Sequence, residues 1–202
     1  MQKSMILIRR RADLSFARFD EHWATTHADI VRRYPGIEEY VQNPVVTHAT
    51  VSDGHVDIES RSLDGIAELW FADGAPPPGV RPVLDELIAD EARFLAHLTG
   101  FATAGADGYD PEAKVWVIGD ETTDVAALVG GVAHEPFDFG PSDARLMRRP
   151  GLEHEPAAPA LMLALSTPRA AATDLHEAVV RSAAASRRGR VRVLLTHSRR
   201  IL

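Results

Sequence analysis

An α+β fold with the element order β-α-β-β-α-β is what this sequence predicts, and three observations predict it. Residues 5–8 form a short apolar run at the start of the chain, as a buried strand does. Residues 16–34 repeat their apolar positions with the helical period, ahead of an extended stretch. Residues 66–71 (IAELWF) alternate, then a second helical pattern and the run KVWVI close the order.

The first helix is the best-defined element. Ser15 is a candidate N-cap. At about 100° per residue, Phe16, Phe19, Trp23, His27, Ile30, Val31 and Tyr34 fall within one arc, and Pro35-Gly36 stops the helix. Residues 37–43 are rich in strand formers, Pro44 demands a bend or an edge position, and residues 45–51 resume the extended pattern before the turn at Ser52-Asp53-Gly54. Glu68 and Trp70 share one face of the next strand. Pro76-Pro77-Pro78-Gly79 reads as a rigid loop. The second helix is expected over residues 82–98, with Val83, Leu84, Leu87, Phe94, Leu95 and Leu98 on its apolar side and Glu91 in the middle of it. The fourth strand is expected at 114–118.

Residues 120–159 are rich in Gly, Pro and acidic side chains and read as a linker or lid with one weak strand candidate at 126–132. A strand (160–165), an Ala-rich helix (168–186) and an alternating strand (190–197) follow. The expected organisation is therefore a first domain over 1–119, the segment 120–159, and a β-α-β segment over 160–202. The last is open to two readings, a degenerate repeat of the first unit or an extension of it.

Bulk properties exclude several classes. At 202 residues the chain holds one or two compact units. A net charge of −7 gives no basic face for nucleic acid. The absence of cysteine removes disulfides, thiolate nucleophiles and Cys-bound metals. The N-terminal apolar run is too short for a signal peptide, and no stretch approaches the roughly 20 apolar residues of a membrane span. A soluble, cytoplasmic protein is expected. The scattered histidines, with His22 and His27 five apart rather than four, do not match helical metal spacing, and no GxGxxG or P-loop opens a helix. Neither metal nor cofactor is expected.

The ordered set Phe19, His22-Trp23, His27, Pro35-Gly36, Tyr40-Val41-Gln42-Asn43, Glu68, Trp70-Phe71 and Asp90-Glu91 resembles the EthD family over residues 3–118. The resemblance implies a ferredoxin-like domain of the dimeric α+β barrel type, in which two four-stranded sheets face each other with helices outside. Proteins of that architecture include muconolactone isomerases, polyketide cyclases, anthrone-type monooxygenases, decarboxylases and dye-decolourising peroxidases, most with a cavity between sheet and helices. Relatives often have histidine after Tyr40-Val41-Gln42-Asn43, where this chain has Pro44. The resemblance implies a homodimer unless the C-terminal part completes the barrel within one chain.

His27 is the first candidate for chemistry. On an apolar stripe it would stand in the wall of a sheet–helix cavity, and its ordinary pKa near ~6.5 suits proton transfer; the competing reading is a core histidine bonded to a backbone carbonyl. His22, at the edge of the stripe, reads as a binding or surface residue. Trp23 and Tyr40 could wall an aromatic substrate, with Gln42 beside Tyr40 on one strand face and Phe19, Trp70 and Phe94 as further apolar wall; the competing reading, favoured for Trp23, is ordinary core packing with satisfied hydrogen bonds. Glu68 and Glu91 occupy positions the pattern would fill with apolar residues. Each is a general acid–base group of raised pKa, the partner of an arginine, or a rim residue at an interface, and the last two readings are favoured for Glu91. The expectation is a cofactor-independent enzyme acting on a small apolar or aromatic molecule, by isomerisation, cyclisation, dehydration, decarboxylation or cofactor-free oxidation. His27 would be the acid or base, with Glu68 or Tyr40 orienting it. The alternative is a non-catalytic binding or assembly module of the same fold.

Overall fold

The computed structural model describes residues 2–72, 78–103, 112–137, 149–155, 157–187 and 189–202. Pro76 and Pro77 of the expected rigid loop and residues 138–148 of the expected lid lie outside them.

The fold is α+β, built on one curled antiparallel sheet with helices on its outer side. Strand β1 is Gln2–Arg10. Helix α1 runs through Phe16–His22, a π-helical turn Trp23–His27 and Ala28–Arg32. Ser15 caps it, its Oγ accepting from the Arg18 N–H at 3.3 Å. Strand β2, Ile37–Ser52, is 16 residues long, and β3 (His55–Asp57) folds back on its end. Strand β4 is Gly65–Phe71, helix α2 is Val80–Phe94 and strand β5 is Leu95–Thr103. These strands lie in the order β5-β1-β4-β2.

The remaining elements make up the second half of the sheet. Strand β6 (Ala113–Gly119) leads to the short helix α3 (Val125–Val129), β7 (Glu135–Pro136), β8 (Leu161–Thr167), helix α4 (Ala172–Ser186) and β9 (Arg190–His197), with β10 (Arg199–Arg200) continuing its line. The strands lie in the order β9-β6-β8-β7, so the first, second, third and fourth strand of each half occupy the same relative places.

Three elements differ from the sequence reading. Helix α2 ends at Phe94, not near residue 98, because the chain turns extended at Leu95 and runs antiparallel to β1 through Phe101, opposite Met5. Thr99 and Phe101 suit a strand better than a helix, and Gly100 disfavours a helix. Residues 114–118 therefore begin the second half instead of closing the first. The weak strand candidate at 126–132 is the helix α3, capped by the Asp124 carboxylate, which accepts from Ala127 N–H. Pro44 does not break β2. It stands where β2 leaves its partner β4 (Pro44 opposite Gly65) and takes β9 (Val45 opposite Thr196), so its missing N–H falls at the change of partner.

Alternation sorts side chains into layers. Ile6, Ile8, Ala67 and Leu69 face α1 and α2, packing with Phe19, Trp23, Tyr40 and Phe94. Met5, Leu7 and Ile66 face the opposite way, into a core shared with Trp116, Phe137, Met162 and Leu194 of the second half. Strands from both ends of the sheet thus meet inside its curl. A third core lies under α3 and α4. Residues 149–155 cross to the first half, where Glu153 N–H donates to Ala96 O (2.9 Å) and Leu98 N–H to Glu153 O (3.0 Å). Among the described residues no helix is long and apolar enough to cross a membrane.

Candidate functional site

Between the outer face of the first sheet and helices α1 and α2 lies a cavity of about 210 Å³. Its walls are mostly apolar, with Ile8, Val31, Leu69, Leu87 and Leu98 among them. The polar side chains that reach it are His27, Tyr34, Tyr40, Glu91 and Arg149.

His27 is placed by the π turn and fixed by Asp90. Its Nδ1 lies 3.0 Å from Asp90 Oδ2, while His22 Nε2 lies 2.9 Å from Asp90 Oδ1. A carboxylate only accepts, so Nδ1 carries the hydrogen of neutral His27 and Nε2 keeps its lone pair. No partner of that Nε2 occurs among the described residues. In an α-helix, residues five apart point about 140° away from each other. A π turn closes its hydrogen bond on the fifth residue, which brings both rings to one carboxylate. Burial pushes the Asp90 carboxyl up, but the His27 hydrogen bond and the charges of both histidines outweigh it and hold the group below the usual carboxylate range. The Phe94 ring packs against both imidazoles, 5.2 Å from His27 and 4.7 Å from His22.

Tyr40 does not orient His27. Its hydroxyl accepts from Trp23 Nε1 and Gln42 Nε2, both at 2.9 Å. Gln42 also donates to Trp23 O at 2.7 Å and accepts from Arg199 Nε at 2.6 Å. Burial pushes the Tyr40 phenol far above its ordinary value, with the two hydrogen bonds opposing, so it keeps its proton. The Trp23 ring lies against Gly65. A Cβ there would stand 2.5 Å from the indole, so only glycine admits this approach.

Glu68 does not orient His27 either, for its side chain points to the other side of the sheet. It is fully buried inside the curl, where its Oε2 lies 2.9 Å from Lys3 Nζ, its Oε1 pairs with Lys114 Nζ, and Asn43 Nδ2 donates to Oε1 at 2.9 Å. Burial raises its pKa, but the two ammonium groups outweigh that and leave it lowered. Trp70 shares this inner side, with Lys3 4.6 Å above its ring.

Of the residues singled out from the sequence, His27, Tyr40, Trp23, Glu91 and Phe94 line the cavity. Phe19, His22 and Gln42 stand behind that wall, whereas Glu68 and Trp70 lie across the sheet. Asp90 and Arg149 were not among the candidates. Asp90 is adjacent to Glu91 and on the α1 side of α2. Arg149 comes from the second half, and its Nε and Nη2 hold Glu91 at 2.5 and 3.4 Å.

Residues 11–97 match the family model described as the EthD domain. The chain carries an EthD domain. This EthD domain supplies His22, His27 and Asp90 together with most of the cavity wall, while Ile6, Ile8, Leu98 and Arg149 lie outside the matched stretch. The comparison with curated proteins gave no match. Among the described residues no group of three His, Asp or Glu side chains is arranged to hold a metal ion.

Proposed function

We propose that this protein is a cofactor-independent enzyme that moves a proton on a small apolar or aromatic molecule held in the EthD-domain cavity. His27 acts as the acid–base group, oriented by Asp90 and not by Glu68 or Tyr40. The observation that carries the reading is His27, held by Asp90, in the wall of a mostly apolar chamber. A neutral imidazole whose Nδ1–H is committed to a carboxylate presents a basic Nε2 to whatever lies beside it, and the carboxylate stabilises the imidazolium formed when the proton is taken. His22, sharing the carboxylate and 27% exposed, connects that pair to solvent.

The size of the chamber narrows the substrate. An apolar cavity of about 150 Å³ holds benzene, so about 210 Å³ suits a single substituted ring or a compact aliphatic molecule better than fused polyketide rings. Isomerisation is the simplest chemistry for such a group, since one imidazole can take a proton from one carbon and return it to another.

The fold belongs to the same proposal. Each half is read as a ferredoxin-like unit, the second one degenerate, and the two together as the single-chain counterpart of a dimeric α+β barrel. Support comes from the repeated strand order, the β2–β9 junction and the inner core drawn from both halves. In this reading the domain boundary falls between Thr103 and Ala113 rather than at 119.

Proton exchange can be tested before any product is identified. Small cyclic ketones and phenols are incubated with the protein in D₂O, and deuterium uptake at carbon is followed by NMR. Uptake with the wild type and its loss in His27→Gln, with ligand still bound, is the expected result. Binding without uptake in the wild type would make the protein a binding module.

A further inference from the structure

Charged groups are scarce in the cavity wall, and one of them does not come from the EthD domain. Arg149 reaches the chamber because the segment that carries it is pinned to the first half. Glu153 bonds Ala96 and Leu98 through its backbone, and Leu152 packs on the aromatic core around Phe94. Glu91 lies on α2 one residue beyond Asp90, and the Glu91–Arg149 pair is largely withdrawn from water, with side-chain exposures of 5% and 13%.

The guanidinium has five N–H donors in a planar fork. Nε and Nη2 are spent on Glu91. Nη1, with two N–H groups, has no partner among the described residues. Glu91 thus does two things: it compensates the charge that would otherwise be costly to bury, and it fixes the plane of the fork. His27 lines the same chamber, and its Nε2 has no partner among the described residues.

We propose that Arg149 is the oxyanion-binding residue of the cavity, and that the site is specific for phenolic or enolisable carbonyl compounds. The inference rests on the acid–base reading of the same cavity. When Nε2 of His27 removes a proton from the O–H of a phenol, or from the carbon next to a carbonyl, the bond's electron pair passes to the oxygen, as phenolate or enolate. That oxygen accepts from Arg149 Nη1, and His27 becomes imidazolium. Return of the proton to a different carbon restores the neutral imidazole and completes an isomerisation without oxidant or reductant. Charge-assisted donors held in a dry site are the strongest means of stabilising such an oxygen.

The test compares 4-nitrophenol, at a pH where it is ionised in solution, with nitrobenzene, which has nearly the same shape and no oxyanion. Binding to the wild-type protein, Arg149→Gln, Arg149→Lys and the paired variant Glu91→Gln/Arg149→Gln is measured by calorimetry. The paired variant leaves no lone buried carboxylate, so it keeps the test open if Arg149→Gln fails to fold. In the wild type the phenolate is expected to bind about tenfold tighter than nitrobenzene, the worth of one charge-assisted hydrogen bond. In the glutamine variants that preference falls to within about threefold while nitrobenzene affinity is kept. The lysine variant, with the charge but not the fork, retains only part of it. Equal affinity for both probes in the wild type, or a preference that survives in the paired variant, overturns the role of Arg149 and leaves the cavity reading standing. Failure of both probes to bind the wild type removes the cavity reading as well.

Discussion

Asp90 Oδ2 lies 3.0 Å from Nδ1 of His27, across 63 residues of sequence, and no other hydrogen bond to the His27 ring is found among the described residues. The carboxylate thereby decides which nitrogen faces the cavity. Asp90→Asn keeps the shape but can present its amide N–H₂ to the ring, which favours the wrong tautomer. Deuterium uptake in substrate is expected to fall about 100-fold or more, in line with the loss of positioned general-base catalysis, with far-UV circular dichroism unchanged.

The same group governs part of the acid stability. Its pKa is lowered in the fold, so its contribution is fully present above the ordinary carboxylate value of 3.8 and is lost as the pH falls through the lower folded value. Asp90→Asn is therefore expected to be less stable than wild type at neutral pH, and the difference should shrink steadily below pH 3.8 in urea titrations.

Glu68 should matter for stability and not for turnover. Glu68→Gln leaves the Lys3 and Lys114 ammonium groups inside the curl without their shared carboxylate, and breaking a buried ion pair by removing one partner costs about 3–5 kcal/mol. The urea midpoint is expected to drop accordingly. The fraction that remains folded should exchange substrate protons at the wild-type rate, since the His27 ring is on the other face of β4. The threefold change Lys3→Met/Glu68→Leu/Lys114→Met is expected to recover most of the loss.

Gly65→Ala tests the approach of the indole. The added methyl would meet the Trp23 ring at 2.5 Å and Ile8 Cδ1 at 3.2 Å. Overpacking of this kind costs about 1–3 kcal/mol. Displacement of Trp23 from the Tyr40 hydroxyl should appear as a shift in tryptophan emission.

His97 and His176 supply a second pH dependence. Burial is the first cause that lowers both pKa values below 6.5. Both are then neutral in the fold where the unfolded chain takes up protons, so unfolding binds protons and stability falls as the pH drops below 6.5. His176→Leu, which also gives up the 3.3 Å bond to Val193 O, is expected to flatten that slope in urea titrations between pH 7 and 5.

Local pattern reveals local structure, and the comparison of elements shows where that ends. The stripe of Phe19, Trp23, His27, Ile30 and Val31 was readable because one helix face meets one sheet, so its period survives in the sequence. The π turn within it left no mark, because hydrogen-bond slippage at Trp23–His27 needs no particular residue, and the convergence of His22 and His27 followed from it. Alternation in IAELWF shows that Glu68 and Trp70 share a face, but it does not say which face meets the helices. Arg149 had no local signal of any kind. It sits in a loop-rich stretch and reaches Glu91 only because the chain's second half folds back over the first.

Strand β2 is long enough to serve both halves, pairing with β4 over its first part and β9 over its second. A junction of that kind between separate molecules would form by collision and dissolve on dilution. Here its two edges belong to one covalent chain, so its formation is a first-order event, indifferent to how much protein the cell makes. It also releases the halves from having to be alike. A substitution in β9 or α4 alters one side of the junction alone and leaves the half that carries the cavity as it was.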